Sequence, residues 1–260
     1  MKDLLTICIP THTVKTETRG AYAHMNNIIP SAPSTRMIEY ILEDLFKKTD
    51  IPKSTPIIIG VDNRLNRSID TEYVKNLEKL SALYENLKVI PTNSKTYDPL
   101  ISAPINFTNI IGAVTTPYYF LLEHDWIFNL NVNIQELLNN MIKYDQYYVR
   151  FNQHVNKMGP NAAEKYMYPE TNTDIPLLKV DHMGNNPYIC KTEIFNKWWK
   201  HLLYETPEEG GFVEGPINVF YKFSIQKMGF EKANENWKIY VYGSPNDPAY
   251  VHHLNGGHFV

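Results

Sequence analysis

Four short apolar runs, three of them ending in a polar cluster, constrain this chain more than any other feature. They are "LLTICIPTH" (4–12), "TPIIIGVDNR" (55–64), "LKVIPT" (87–92) and "PYYFLLEHDW" (117–126). Runs this short, apolar without alternation, read as strands buried on both faces. Three stretches with helical spacing separate them. In "STRMIEYILEDLFKKT" (34–49), Met37, Ile38, Ile41, Leu42, Leu45 and Phe46 share one face. Ser34 is placed to cap its start, and Lys47 and Lys48 suit its end. "TEYVKNLEKLSALYE" (71–85) and "INFTNIIGAVTT" (105–116) are the other two. The alternation predicts an α/β fold with a mostly parallel central sheet and helices on both faces.

In such sheets ligands bind beyond the carboxyl ends of the strands. Three polar clusters fall there: Thr11-His12, Asp62-Asn63-Arg64 and Glu123-His124-Asp125. The last interrupts the apolar run "FLLEHDWIF", and charge in an apolar run is costly unless neutralised. Residues two apart on a strand point the same way, so Glu123 and Asp125 are expected to share a crevice, with His124 turned away. Paired carboxylates suit Mg²⁺ or Mn²⁺, ions usually shared with substrate phosphates. Two surface charges at a strand end are the plainer reading of the tripeptide alone.

The second half is less regular. "QYYVRFN" (146–152) and "WKIYVYG" (237–243) read as strands. Residues 154–176, rich in Pro, Asn and Gly, read as an insertion or flap, and 13–33 as a long polar loop. "KTEIFNKWWKHLLY" (191–204) is a helix; adjacent Trp198 and Trp199 point about 100° apart, so at most one belongs to the core face, and the other stacks on a sugar or, more commonly for such residues, packs at the surface. "GPINVFYKFSIQKMGF" (215–230) is another helix, with Gly229 suited to its C-terminus. No repeat or linker divides the chain, so 1–260 is expected to form one domain.

"NFTNIIGAVTTPYYFLLEHDW" resembles the stretch of GT-A fold glycosyltransferases in which an Asn- and Gly-bearing helix leads to an acidic DxD-type motif. "LLTICIPTH", the "RMIEYILEDL" helix and "PIIIGVDNR" are similar to their first strand, first helix and second strand. The style is that of glycosyltransferase family 2, clear over the first half and patchy over the second. The resemblance implies a GT-A type, Rossmann-like fold, with 1–126 binding nucleotide and 127–260 binding acceptor. It implies that Thr11 and His12 line the nucleotide pocket, Asp62 contacts base or ribose, and Asp125 binds a metal bridging the diphosphate. Glu123 matches the first acid of the motif, where Asp is usual. Glu214, opening a helix in "EEGGFVEGPINVFY", matches an acidic residue that serves as base; a cap-region acid is the simpler alternative, and Glu208 and Glu209 lie farther out. His182 in "HMGNNPYICKTEIF" is a candidate phosphate or sugar contact, or an ordinary loop histidine. In the tail "VHHLNGGH", His253 best fits a late histidine reaching the metal, with His252 and His258 as alternatives. An imidazole ligand favours manganese over magnesium. A zinc site from the three tail histidines has no familiar spacing.

Composition narrows the remaining classes. A net charge of -3 predicts no nucleic-acid binding by bulk electrostatics. No apolar run is long enough to span a membrane. Cys8 and Cys190 sit in apolar contexts and read as free buried thiols, which suits a reducing, cytoplasmic setting. The sequons at Asn66 and Asn106 then read as chance matches. The 18 tyrosines supply flat, amphipathic surface, which is compatible with sugar binding without showing it.

The expected activity is metal-dependent transfer of a sugar from a nucleoside-diphosphate sugar to a hydroxyl of a glycan, glycoprotein or glycolipid, by an inverting displacement with Glu214 as base. One rival is a nucleotidyltransferase, disfavoured because the loop after the first strand offers Lys15, Arg19 and only Gly20 to cradle a triphosphate. The other is a non-catalytic sugar-binding domain of the same fold.

Overall fold

The computed structural model describes residues 1–13, 33–94, 99–157, 167–205 and 214–254. Lys15, Arg19, Gly20, Glu208, Glu209 and His258 lie outside the described residues, as do nearly all of the 13–33 loop and the centre of the expected flap.

The first half alternates as expected: β1 (Leu5–Thr11), α1 (Arg36–Lys48), β2 (Ile57–Arg64), α2 (Ser68–Ser81), β3 (Leu87–Ser94), α3 (Pro99–Gly112) and β4 (Tyr118–Leu121). There follow β5 (Trp126–Phe128), α4 (Ile134–Lys143), β6 (Tyr148–Arg150), β7 (Met167–Pro169), β8 (Leu177–Val180) and β9 (Tyr188–Lys191). A helix with a π turn at Phe195–Trp199 joins α5 (Thr192–Ile194) to α6 (Lys200–Glu205). The chain continues through α7 (Glu214–Met228), α8 (Phe230–Trp237), β10 (Ile239–Tyr242) and β11 (Val251–His253).

Nine strands form one sheet in the order β3-β2-β1-β4-β9-β6-β10-β8-β7. β3, β2, β1 and β4 are parallel. β9 runs antiparallel to both β4 and β6. β6 and β10 are parallel, β8 opposes β10, and β7 opposes β8. Only β8 and β9 therefore run against the other seven, so the sheet is mostly parallel. β5 and β11 pair separately.

Burial on both faces explains the unbroken apolar runs. Ile7 and Ile9 of β1 pack with Ile38 and Ile41 of α1 and Leu77 of α2 on one face. Cys8 and Ile58 pack with Phe107 and Ile110 of α3 on the other. Both cysteines are buried and free. Gly60 lets α3 approach closely: a Cβ there would lie 2.2 Å from Ile110 Cδ1. Asn106 is buried beneath this contact and donates to Gly60 O at 3.2 Å, so that sequon is closed to a glycan.

Among the differences from the sequence reading, three stand out. α3 reaches back through Pro104 to Pro99, where the apolar periodicity suggested a start at Ile105. α4 went unread, although Asn133 accepts the Glu136 N–H at 2.9 Å in a legible capping arrangement. The third bears on function. β4 ends at Leu121, and Glu123, His124 and Asp125 lie in a turn closed by Trp126 N–H on Glu123 O at 3.3 Å. Strand alternation therefore does not orient the two acids, and His124 is not turned away.

Candidate active site

At the sheet edge, a buried ion pair fixes where β1 and β2 end. Asp70, in the first turn of α2, is fully buried and accepts from Arg64 and from the Thr13 hydroxyl. Arg64 Nη2 also reaches Thr13 Oγ1 at 2.6 Å. Burial opposes ionisation of Asp70, but these bonds and the Arg64 and Arg67 charges hold its carboxyl below the usual range. Thr11 is buried, its hydroxyl 3.0 Å from that of Tyr73. Asp62 is 6% exposed, and its Oδ1 has no hydrogen-bond partner. Burial pushes this carboxyl up to about 6, although Arg64 pulls it down. A buried acceptor left open in this way is costly unless a ligand donates to it.

The β4–β5 turn collects the imidazoles. His124 meets His12 edge-on, ring centroids 5.1 Å apart. Pairing of β11 with β5 sets His253 opposite Trp126, their rings 4.6 Å apart. That register brings His253 Nε2 to 3.2 Å from Asp125 Oδ2. Leu254 N–H donates to Asp125 O at 2.7 Å and closes the arrangement. Burial works against the Asp125 anion, but His124, His253 and His12 outweigh it and hold the carboxyl at about 2. The neighbouring Glu123 goes the other way. Burial first, then the Asp125 and Glu214 charges, raises it well above the usual range. Burial and the His124 charge lower His12 to about 4, so this imidazole is neutral at physiological pH.

Glu214 thus lies within electrostatic reach of Glu123, although 91 positions separate them in sequence. It opens α7 and lines a cleft of about 720 Å³ with Arg150, His182, Gly184, Asn186 and Asn218. Its Oε2 is buried without a hydrogen-bond partner, and burial raises the carboxyl to about 7. Asn218, one turn along α7, brackets Met183, accepting its N–H at 2.7 Å and donating to its carbonyl at 3.0 Å. This ties the His182 loop to the helix that carries Glu214. His182 Nδ1 lies 3.1 Å from Asp181, and burial lowers its pKa.

The structure therefore gathers His12, Glu123, Asp125 and His253 around one turn, and sets Glu214 and His182 in an adjoining cleft. Thr11 and Asp62 stand behind the turn at the ends of β1 and β2. Sequence reasoning missed Arg150 and Asn218. Arg150 had a signal, a lone cation in the apolar run "YYVRF". It is buried in the cleft wall, and a Cβ on Gly184 would fall 2.7 Å from its Nη1. Among the described residues, no group of three or more His, Cys, Asp or Glu is arranged to hold a metal.

The order of strands, the mixed second half and the acid-bearing turn define a GT-A type, Rossmann-like fold. Solved structures with this fold include residues 1–349 of S. aureus TarS in complex with UDP-GlcNAc. It is 14% identical, with a TM-score of 0.51, over 99% of this chain and 62% of that one. The same TarS segment without that ligand gives 0.50 at 14% identity, covering 96% and 60%. A putative glucose-1-phosphate thymidylyltransferase from Bacillus anthracis, in complex with a sucrose, gives 0.51 at 11% identity, covering 96% and 90%. The chain spans about three fifths of the length of these TarS chains. No protein-family model and no curated protein matches the sequence. Among the described residues, no helix is long and apolar enough to cross a membrane.

Proposed function

We propose that this chain transfers a sugar from a nucleoside-diphosphate donor to a hydroxyl acceptor, with residues 1–126 holding the nucleotide and 127–260 the acceptor. The observation that carries this reading is the Glu214 carboxyl. It is half-buried, with Oε2 buried and open, raised to about 7, and set in a cleft adjoining the acidic turn. A general base works best with a pKa near the operating pH. Glu214 takes the acceptor proton as the hydroxyl attacks the sugar carbon, and the diphosphate leaves on the opposite side. This is an inverting displacement. Asp62, with its open buried oxygen, receives a donor group of the base or ribose, beside Thr11 and His12. His182 and Arg150 contact the sugar or its phosphates across the cleft.

A divalent cation fits the turn in a limited way. Asp125 and His253 would hold it through one carboxylate and one imidazole. The ion would supply stabilisation of the charge on a leaving diphosphate, and a histidine ligand would favour Mn²⁺. Glu123, its carboxyl raised by burial, stands in the same turn and would contact the ribose, the sugar or a bound water.

The test is a panel of nucleotide sugars followed for donor hydrolysis, in parallel with nucleoside triphosphates plus sugar 1-phosphates. Release of nucleoside diphosphate supports the reading. Pyrophosphate release makes the chain a nucleotidyltransferase, and no turnover with sugar binding alone makes it a lectin-like domain.

A further inference from the structure

Glu214 begins the face of α7 that meets the sheet. Residues 214, 217, 218 and 221 fall on one side of a helix. Ile217 and Tyr221 on that side are fully buried. Two of the four are uncharged polar residues, and both bond to backbone of the chain that leaves β8. The Tyr221 hydroxyl donates to Val180 O, at the end of β8, at 2.8 Å. Asn218 takes both backbone groups of Met183. Apolar contact has no direction, whereas hydrogen bonds fix one, so these bonds set where the first turns of α7 lie.

Tyr148 grips the same segment from the other side. Tyr148 and Arg150 are two apart on β6 and share a face. Tyr148 is fully buried; its hydroxyl donates to Gly184 O at 2.7 Å and accepts the Gly184 N–H at 3.3 Å. Arg150 lies against Gly184, where a Cβ would leave only 2.7 Å to Nη1. Residues 181–187 form no helix or strand. All four backbone polar groups of Met183 and Gly184 therefore go to two side chains, one from α7 and one from β6. Backbone groups in a buried segment need such partners, so each side chain holds the segment in place.

We propose that Asn218 and Tyr148 are positioning residues for sugar transfer: by gripping Met183 and Gly184 they set the Glu214 carboxyl against the opposite wall of the cleft. The proposal rests on the reading of Glu214 as the base. Both side chains act through the Met183–Gly184 backbone, and the nucleotide-binding half is not part of the clamp.

Hydrolysis of nucleotide sugars by Tyr148→Phe, Asn218→Leu and the double variant tests it, together with amide hydrogen exchange. Each single variant is expected to lower kcat about tenfold with KM for the nucleotide sugar unchanged. The two hold adjacent residues of one segment, so the double variant is expected to lose little more than the worse single, and not the roughly hundredfold of independent effects. The Met183 amide in Asn218→Leu and the Gly184 amide in Tyr148→Phe are expected to exchange at least about tenfold faster than in the parent. Tyr148→Phe keeps the buried ring and reads the clamp by itself if Asn218→Leu does not fold. Parental kcat in the variants, a rise in KM in place of the fall in kcat, or unchanged exchange overturns the positioning role and leaves the transferase reading standing. No turnover of any nucleotide sugar by the parent removes the transferase reading, and the positioning role with it.

Discussion

The acidic turn and the Glu214 cleft solve opposite problems with the same functional group. At the turn, Asp125 is surrounded by imidazoles and held at about 2, so it is an anion throughout the physiological range. In the cleft, Glu214 lacks a partner for Oε2, and burial raises it to about 7. On the proposed function, the first keeps its charge, as a ligand for a cation must, and the second changes its charge near neutrality, as a proton acceptor must. Glu123 lies between them and responds to both, raised by burial and then by its two acidic neighbours.

Substitutions can break this division of labour. The largest effect is expected from Asp125→Ala, a loss of about a thousandfold in kcat/KM together with weakened nucleotide binding by calorimetry. Unchanged nucleotide affinity would remove Asp125 from the donor site. Glu214→Gln is expected to lower kcat by about a hundredfold or more while leaving nucleotide affinity as it was. Loss of nucleotide binding in that variant would merge the two regions into one site.

Stability against pH sharpens the comparison. The folded pKa of Glu214 is raised, so its contribution to stability is full below about 4.5 and is lost as pH rises through about 7. Gln cannot ionise, so Glu214→Gln should match the parent near pH 4. It should gain up to about 3 kcal/mol above pH 8 in urea unfolding. Asp62→Asn should do the same with its transition near 6, since burial raises that carboxyl too. Asp125→Asn should show the reverse sign. Its depressed pKa contributes stability above about 3.8 that is lost as pH falls toward 2, so this variant is the weaker one at neutral pH. The smallest effect is expected at Thr11→Val. Loss of the Tyr73 hydrogen bond costs about 1 kcal/mol, and an unchanged KM would make Thr11 a core contact and not a donor contact.

How legible each region was follows from its physics. β1, β2 and β4 are buried on both faces, so continuous apolar runs announced them, and polar residues at their ends marked the edge where ligands bind. The turn at 123–125 was legible in position but not in geometry, because strand alternation has no authority once the chain leaves the sheet. His253 reaches Asp125 through pairing of β11 with β5, a contact between residues 128 positions apart that no local pattern encodes. The second half was harder because β6, β8, β9 and β10 are only three or four residues long and mix directions. Short strands carry little periodicity, and loops set their neighbours. Asn218 is invisible for the same reason, and the lone cation at Arg150 showed a position without a role: both take their place from the cleft that these strands assemble.

The pH dependence of nucleotide-sugar hydrolysis, compared between the parent chain and Glu214→Gln, tests the central claim most directly. The account predicts a rate that rises with pH through about 7 in the parent, as the Glu214 carboxyl loses its proton, and a low, flat profile in the variant. An unchanged rate and the same rise in Glu214→Gln would contradict it.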